Sequence, residues 1–104
     1  MSDFPDKTTA VSFASDNKAG ACPGALCATE SGNKQFAVVV LQEWWGVNAQ
    51  IKELATKLTA TYGFTTIIPD LYRGQVAVDH EHAGHLMNGL DWVRFFFFFL
   101  FRVH

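Results

Sequence analysis

Residues 36–70 read FAVVVLQEWWGVNAQIKELATKLTATYGFTTIIPD. Phe36 to Leu41 is an unbroken apolar run rich in β-branched residues, which suits a parallel strand buried on both faces. Asn48 stands where a helix N-cap belongs. After it Ile51, Leu54, Ala55 and Leu58 recur at i, i+3, i+4 and i+7, the stripe of an amphipathic helix. Tyr62 closes that helix, and Gly63 fits the left-handed position beyond its end. Phe64 to Ile68 reads as the next strand, stopped by Pro69. Strand, helix and strand in about thirty residues form a βαβ unit.

Upstream, Val11 and Phe13 alternate with Ser12 and Ala14, a weak strand signal. Asp16 to Gly24 is rich in turn residues, Gly24 to Ala28 forms a second short strand, and Ser31 to Lys34 reads as a turn. Downstream, Gly74 to Asp79 is a loop. A second helix is expected from His80, with Ala83, Leu86, Met87 and Leu90 on one face and a continuation past Trp92. That pattern collapses into Phe95 to Phe99, Leu100 and Phe101, which is apolar on every face.

The chain has 104 residues, enough for one domain and short for an open α/β sheet. A net charge of −2 and the absence of a basic stripe give no support for nucleic-acid binding. The phenylalanine run is far shorter than the ~20 apolar residues that span a bilayer, so no membrane partner is expected. The first ten residues lack the apolar stretch of a signal peptide, and Cys22 and Cys27 make no disulfide framework. Together these point to the cytoplasm.

Gln42-Glu43-Trp44-Trp45-Gly46 directly follows the first strand of the βαβ unit. Open α/β sheets bind ligands beyond the carboxyl ends of their strands. A carboxylate between a hydrophobic strand and two indoles is expected to be partly desolvated, able to orient or deprotonate a neighbour. The plainer reading is a surface Glu beside two packing tryptophans.

Three stretches in order, VVVLQEWWGVNAQIKELATKL, GFTTIIPDLYRGQVA and AGHLMNGLDW, closely resemble the dienelactone hydrolase family, over about Gln35 to Trp92. That resemblance implies the N-terminal part of a three-layer α/β-hydrolase-type sheet: N-terminal strands, one βαβ unit and a second helix. It implies ester or lactone hydrolysis of the carboxymethylenebutenolidase type, through a covalent acyl intermediate and with no metal or other cofactor. By resemblance, Glu43 contacts and helps switch on the nucleophile, and Trp44 supplies a backbone N–H to the oxyanion hole. The nucleophile elbow, the Asp and the His lie further along the family's pattern. The match stops near Trp92, so residues 1–92 are read as the family-like part and 93–104 as an aberrant tail. The chain is read as truncated before the nucleophile and inactive alone. The alternative is a non-catalytic fragment or binding module pairing with a full-length relative through its open sheet edge. Low solubility and self-association are expected from that edge and from the phenylalanine run.

Other candidates are weaker. Gly20-Ala21-Cys22-Pro23-Gly24 fits the G-x-C-x-G elbow pattern, but the elbow needs a strand before and a helix after it. Pro23 also lacks the N–H that the residue after the nucleophile must offer. A turn is the expected reading. His80, His82 and His85 miss the H-E-x-x-H spacing, and a solvated helix face is expected instead of a metal site. Arg73 is read as a surface loop residue, with a carboxylate-facing role as the alternative. Asp70 is expected to brace the turn after Pro69. Asp91 and His104 have no nucleophile to join in a triad.

Overall fold

The computed structural model describes residues 3–90. The expectations for Asp91, Trp92, the phenylalanine run and His104 lie outside the described residues. Four strands and two helices follow in the order β1 (Thr9–Phe13), β2 (Cys22–Cys27), β3 (Asn33–Val39), α1 (Ala49–Tyr62), β4 (Phe64–Pro69) and α2 (His80–Asn88).

The strands form one sheet in the order β1-β2-β4-β3. β1 and β2 make an antiparallel hairpin, and β2 pairs antiparallel with β4. β3 and β4 run parallel, joined by α1, so the βαβ unit is present. The hairpin turn is held by Asn17, whose Oδ1 accepts from the Ala19 N–H at 2.8 Å and whose carbonyl accepts from Gly20 at 2.9 Å. Gly24 is required in β2: a Cβ there would lie 2.5 Å from both the Ile68 carbonyl and the Phe13 ring.

Helix α1 begins and ends where its caps dictate. Asn48 accepts from the Ile51 N–H at 3.2 Å, and Gly63 takes φ 75° with its N–H on the Thr59 carbonyl. Its buried face differs from the expected stripe. Ile51, Ala55, Thr56 and Thr59 are buried, while Leu54 is 43% exposed. Thr59 can go inside because its hydroxyl finds partners there. It donates to the Phe64 carbonyl at 2.7 Å, with the Cys27 carbonyl at 3.1 Å and the Thr66 hydroxyl at 3.0 Å. The core under α1 is Ala25, Val47, Ile51, Ala55 and Ile68, with Val40 packed against it.

β3 is not buried on both faces. Among the described residues it stands at the end of the sheet, with β4 on one side only. Helix α1 packs on β4 and β2. Phe36 is therefore 63% exposed and Val39 46%. Helix α2 starts at His80 as expected but ends at Asn88, where the Gly89 N–H turns back onto the carbonyls of the last turn. Ala83 is buried, and Leu86, Met87 and Leu90 are half-buried. No helix among the described residues is long and apolar enough to cross a membrane.

Candidate active site

Past β3 the chain stays in register for one more bond, Val40 N–H to the Ile67 carbonyl at 2.9 Å. Gln42 then ties the ends of the two parallel strands together: its Oε1 accepts from the Leu71 N–H at 2.9 Å. Its Nε2 donates to the Glu43 carbonyl at 3.3 Å, and the Gly46 N–H donates to the same carbonyl at 3.1 Å. The result is a tight turn from Glu43 to Gly46, closed on the N-cap of α1 by the Asn48 N–H bonding the Gly46 carbonyl at 3.1 Å. Gly46 takes φ 103°, a region side chains rarely adopt.

Glu43 lies on this turn and is exposed. Of the two readings the plainer one holds: Glu43 is a surface carboxylate that the indoles do not cover. They gather around His80 instead. Trp44 and Trp45 have centroids 5.2 Å apart, and His80 lies 5.5 Å from Trp44 and 5.0 Å from Trp45, the latter edge-on. The Ala77 N–H bonds the Trp45 carbonyl at 2.8 Å and pins the following loop to the turn. No described residue donates a hydrogen bond to the Glu43 carboxylate, and none accepts from the Trp44 N–H.

Asp70 braces the end of β4, as expected. Its Oδ2 accepts from the Gly74 N–H at 2.9 Å, and its own N–H bonds the Pro23 carbonyl at 2.8 Å. Its Oδ1 is buried without a partner. Burial pushes the carboxyl pKa up from 3.8, and backbone N–H groups at Gly74, Tyr72 and Arg73 only partly oppose it. A carboxyl raised in the folded state disfavours folding once it ionises. The penalty is absent below 3.8, grows as pH rises toward the folded pKa, and is complete above it. Asp70→Asn keeps an acceptor for Gly74 and removes the charge. It is expected to raise the melting temperature by a few degrees at pH 7 and to change it little at pH 3. Thermal melts at the two pH values check this.

Arg73 is not the solvated loop residue that was expected. It is half-buried at φ 50°, with Nη2 donating to the Gly20 carbonyl at 3.1 Å and Nε buried without a partner. It is drawn in by the hairpin turn, which folds back over the end of β4.

Cys22 is a strand residue, 5% exposed, and the Gly20–Gly24 segment is not simply a turn, because β2 already begins at Cys22. The hairpin register pairs Pro23 with Ser12, so the segment has no strand-to-helix junction. Burial raises the thiol pKa above 9.0, against the nearby Arg73 charge. A thiol so placed does not supply a nucleophilic thiolate at neutral pH.

The three histidines have separate jobs. His80 joins the tryptophans, the His82 Nδ1 accepts from the Val78 N–H at 3.1 Å, and His85 is exposed near the end of α2. Among the described residues no three His, Cys, Asp or Glu side chains are grouped to hold a metal ion. The contact of His80 with Trp44 and Trp45 had no sequence signal, since it joins positions 36 and 35 residues apart.

An antiparallel hairpin feeding a parallel βαβ unit, with a tight turn at the end of β3, matches the front of an α/β-hydrolase-type fold. Within that class the chain belongs to the dienelactone hydrolase family, whose profile matches residues 24–95. Two curated relatives match part of it. The "Putative carboxymethylenebutenolidase" of Aquifex aeolicus (strain VF5) is 46% identical over 55 residues, 50% of this chain and 23% of that protein. "Protein usf" of Aquifex pyrophilus is 38% identical over 56 residues, 51% of this chain and 24% of that protein. The chain thus spans about a quarter of the length of these relatives.

Proposed function

We propose that this chain forms the Glu43–Trp44 side of an ester- or lactone-hydrolysing site of the carboxymethylenebutenolidase type. The observation that carries this reading is the turn itself: an exposed carboxylate and an N–H, each without a hydrogen-bond partner among the described residues, on adjacent residues at the carboxyl end of β3. A nucleophile attacking an ester carbonyl creates an oxyanion, and a fixed backbone N–H stabilises it without reorganising. Trp44 supplies that N–H. Glu43 sits one residue away, where it orients the nucleophile and takes up its proton. The intermediate is a covalent acyl-enzyme that water resolves, and no metal is needed.

The nucleophile is not in this part of the fold. The β3–α1 junction runs through Val40 to Asn48 and the β4–α2 junction through Asp70 to Asp79, and neither contains Ser, Cys or Thr. Residues 3–90 alone therefore do not turn over an ester. The second reading, a non-catalytic fragment that pairs with a longer relative, rests on the edge of β3, which no strand among the described residues covers. There Phe36 and Val39, with Leu41 just beyond the strand, leave apolar surface in water. The same surface favours self-association. Two free, buried cysteines suit a reducing cytoplasm.

The test grafts residues 24–90 in place of the matching stretch of the Aquifex aeolicus relative. The graft is expected to hydrolyse p-nitrophenyl acetate. Glu43→Gln in it is expected to lower kcat/KM by about 10²-fold with an unchanged melting temperature, the low end for a positioned proton-handling group. An active graft indifferent to Glu43→Gln refutes the role.

A further inference from the structure

A cavity of about 490 Å³ opens between the hairpin turn, the end of β4 and the last turn of α2. No residue of the Glu43–Gly46 turn lines it, so it is separate from the proposed hydrolase site. Three basic side chains from three elements meet there: Lys18 from the hairpin turn, Arg73 from the end of β4 and His85 from α2. None of the described residues that line it is Asp or Glu, while Leu71, Leu86 and Leu90 supply an apolar wall.

The Arg73 guanidinium is the telling group. Its Nε is buried without an acceptor, and no described carboxylate forms an ion pair with it. Nη1 and Nη2 donate to the Leu71 and Gly20 carbonyls at 3.5 and 3.1 Å, which fixes the guanidinium charge at the cavity wall, where an anionic oxygen would meet it favourably. The volume lies in the range of small-molecule sites, which combine an apolar lining with a few convergent polar groups.

We propose that this cavity binds a small amphiphilic anion. Its carboxylate or phosphate head sits against Arg73, Lys18 and His85, and a short hydrocarbon body lies on the three leucines. The proposal is independent of the hydrolase reading, because it uses none of that site's residues.

The test titrates the purified chain with sodium octanoate, octyl phosphate and octan-1-ol, read by ligand-observed saturation-transfer NMR. Both anions are expected to bind saturably, and octan-1-ol about tenfold more weakly or less. Lys18→Gln and Arg73→Gln are each expected to weaken the anions about tenfold, the loss of one hydrogen bond to a charged group. Lys18 is exposed, so its variant keeps the fold and carries the test even if Arg73→Gln does not fold. Tighter binding of octyl phosphate assigns a phosphate head, and tighter octanoate a carboxylate. Failure of both anions to bind, equal binding of octan-1-ol, or anion affinity unchanged by Lys18→Gln overturns the proposal.

Discussion

Gly46→Val is expected to destabilise the protein by about 3 kcal/mol or more and to dismantle the Glu43–Gly46 turn. A Cβ at position 46 would stand 2.6 Å from the Gln75 carbonyl oxygen and 3.3 Å from both the Tyr72 ring and the Val76 Cα. Two of these are backbone atoms, which cannot swing aside. The φ of 103° adds strain that is severe for a β-branched residue. The turn cannot slide away either, because the Gly46 N–H and carbonyl are both bonded, to Glu43 and Asn48. Gly84→Ala is the control: a Cβ there meets nothing within 4 Å, and Gly in a helix interior costs up to ~1 kcal/mol. Thermal melts should place the two variants on opposite sides of the wild type. Tryptophan fluorescence should report loss of the Trp44–Trp45–His80 cluster in the first alone.

Ile68→Ala is expected to cost about 2–5 kcal/mol, read as a lower urea midpoint with an unchanged slope. Ile68 is fully buried in β4, at the centre of a core in which two of the five members are alanines. Few large side chains hold this sheet to α1, so the void is hard to refill. Domains of this size are stable by ~5–15 kcal/mol, and the loss is a large share of that. Val39→Ala, at a site 46% exposed on the sheet edge, is expected to move the midpoint by ~0.5 kcal/mol or less.

Local chemistry was readable from the residues. Asn48 and Gly63 mark α1 because capping is decided by neighbours within four positions. Asp70 as a brace follows from the same short-range logic. Long-range order was not readable. The β-branched run of β3 indicates burial, but which strands flank it depends on β2 inserting beside β4, a pairing across some forty residues. Thr59 lies outside the expected helix stripe. It is buried because carbonyls of Cys27 and Phe64 happen to meet it. Leu54 looked like core and is exposed. At the site, the position of Glu43 after β3 and its place at the surface were legible, but the packing of the two indoles on His80 was not. Arg73 was misjudged for the same reason: the hairpin that covers it is distant in sequence.

On the proposed function, this chain supplies one side of a hydrolase site and no nucleophile. Release of p-nitrophenol from p-nitrophenyl acetate, measured for the chain alone beside the graft, tests it most directly. The chain alone is expected to match the buffer rate, and the graft to turn over many times. Multiple turnovers by the chain alone, abolished by Cys22→Ala, would contradict it.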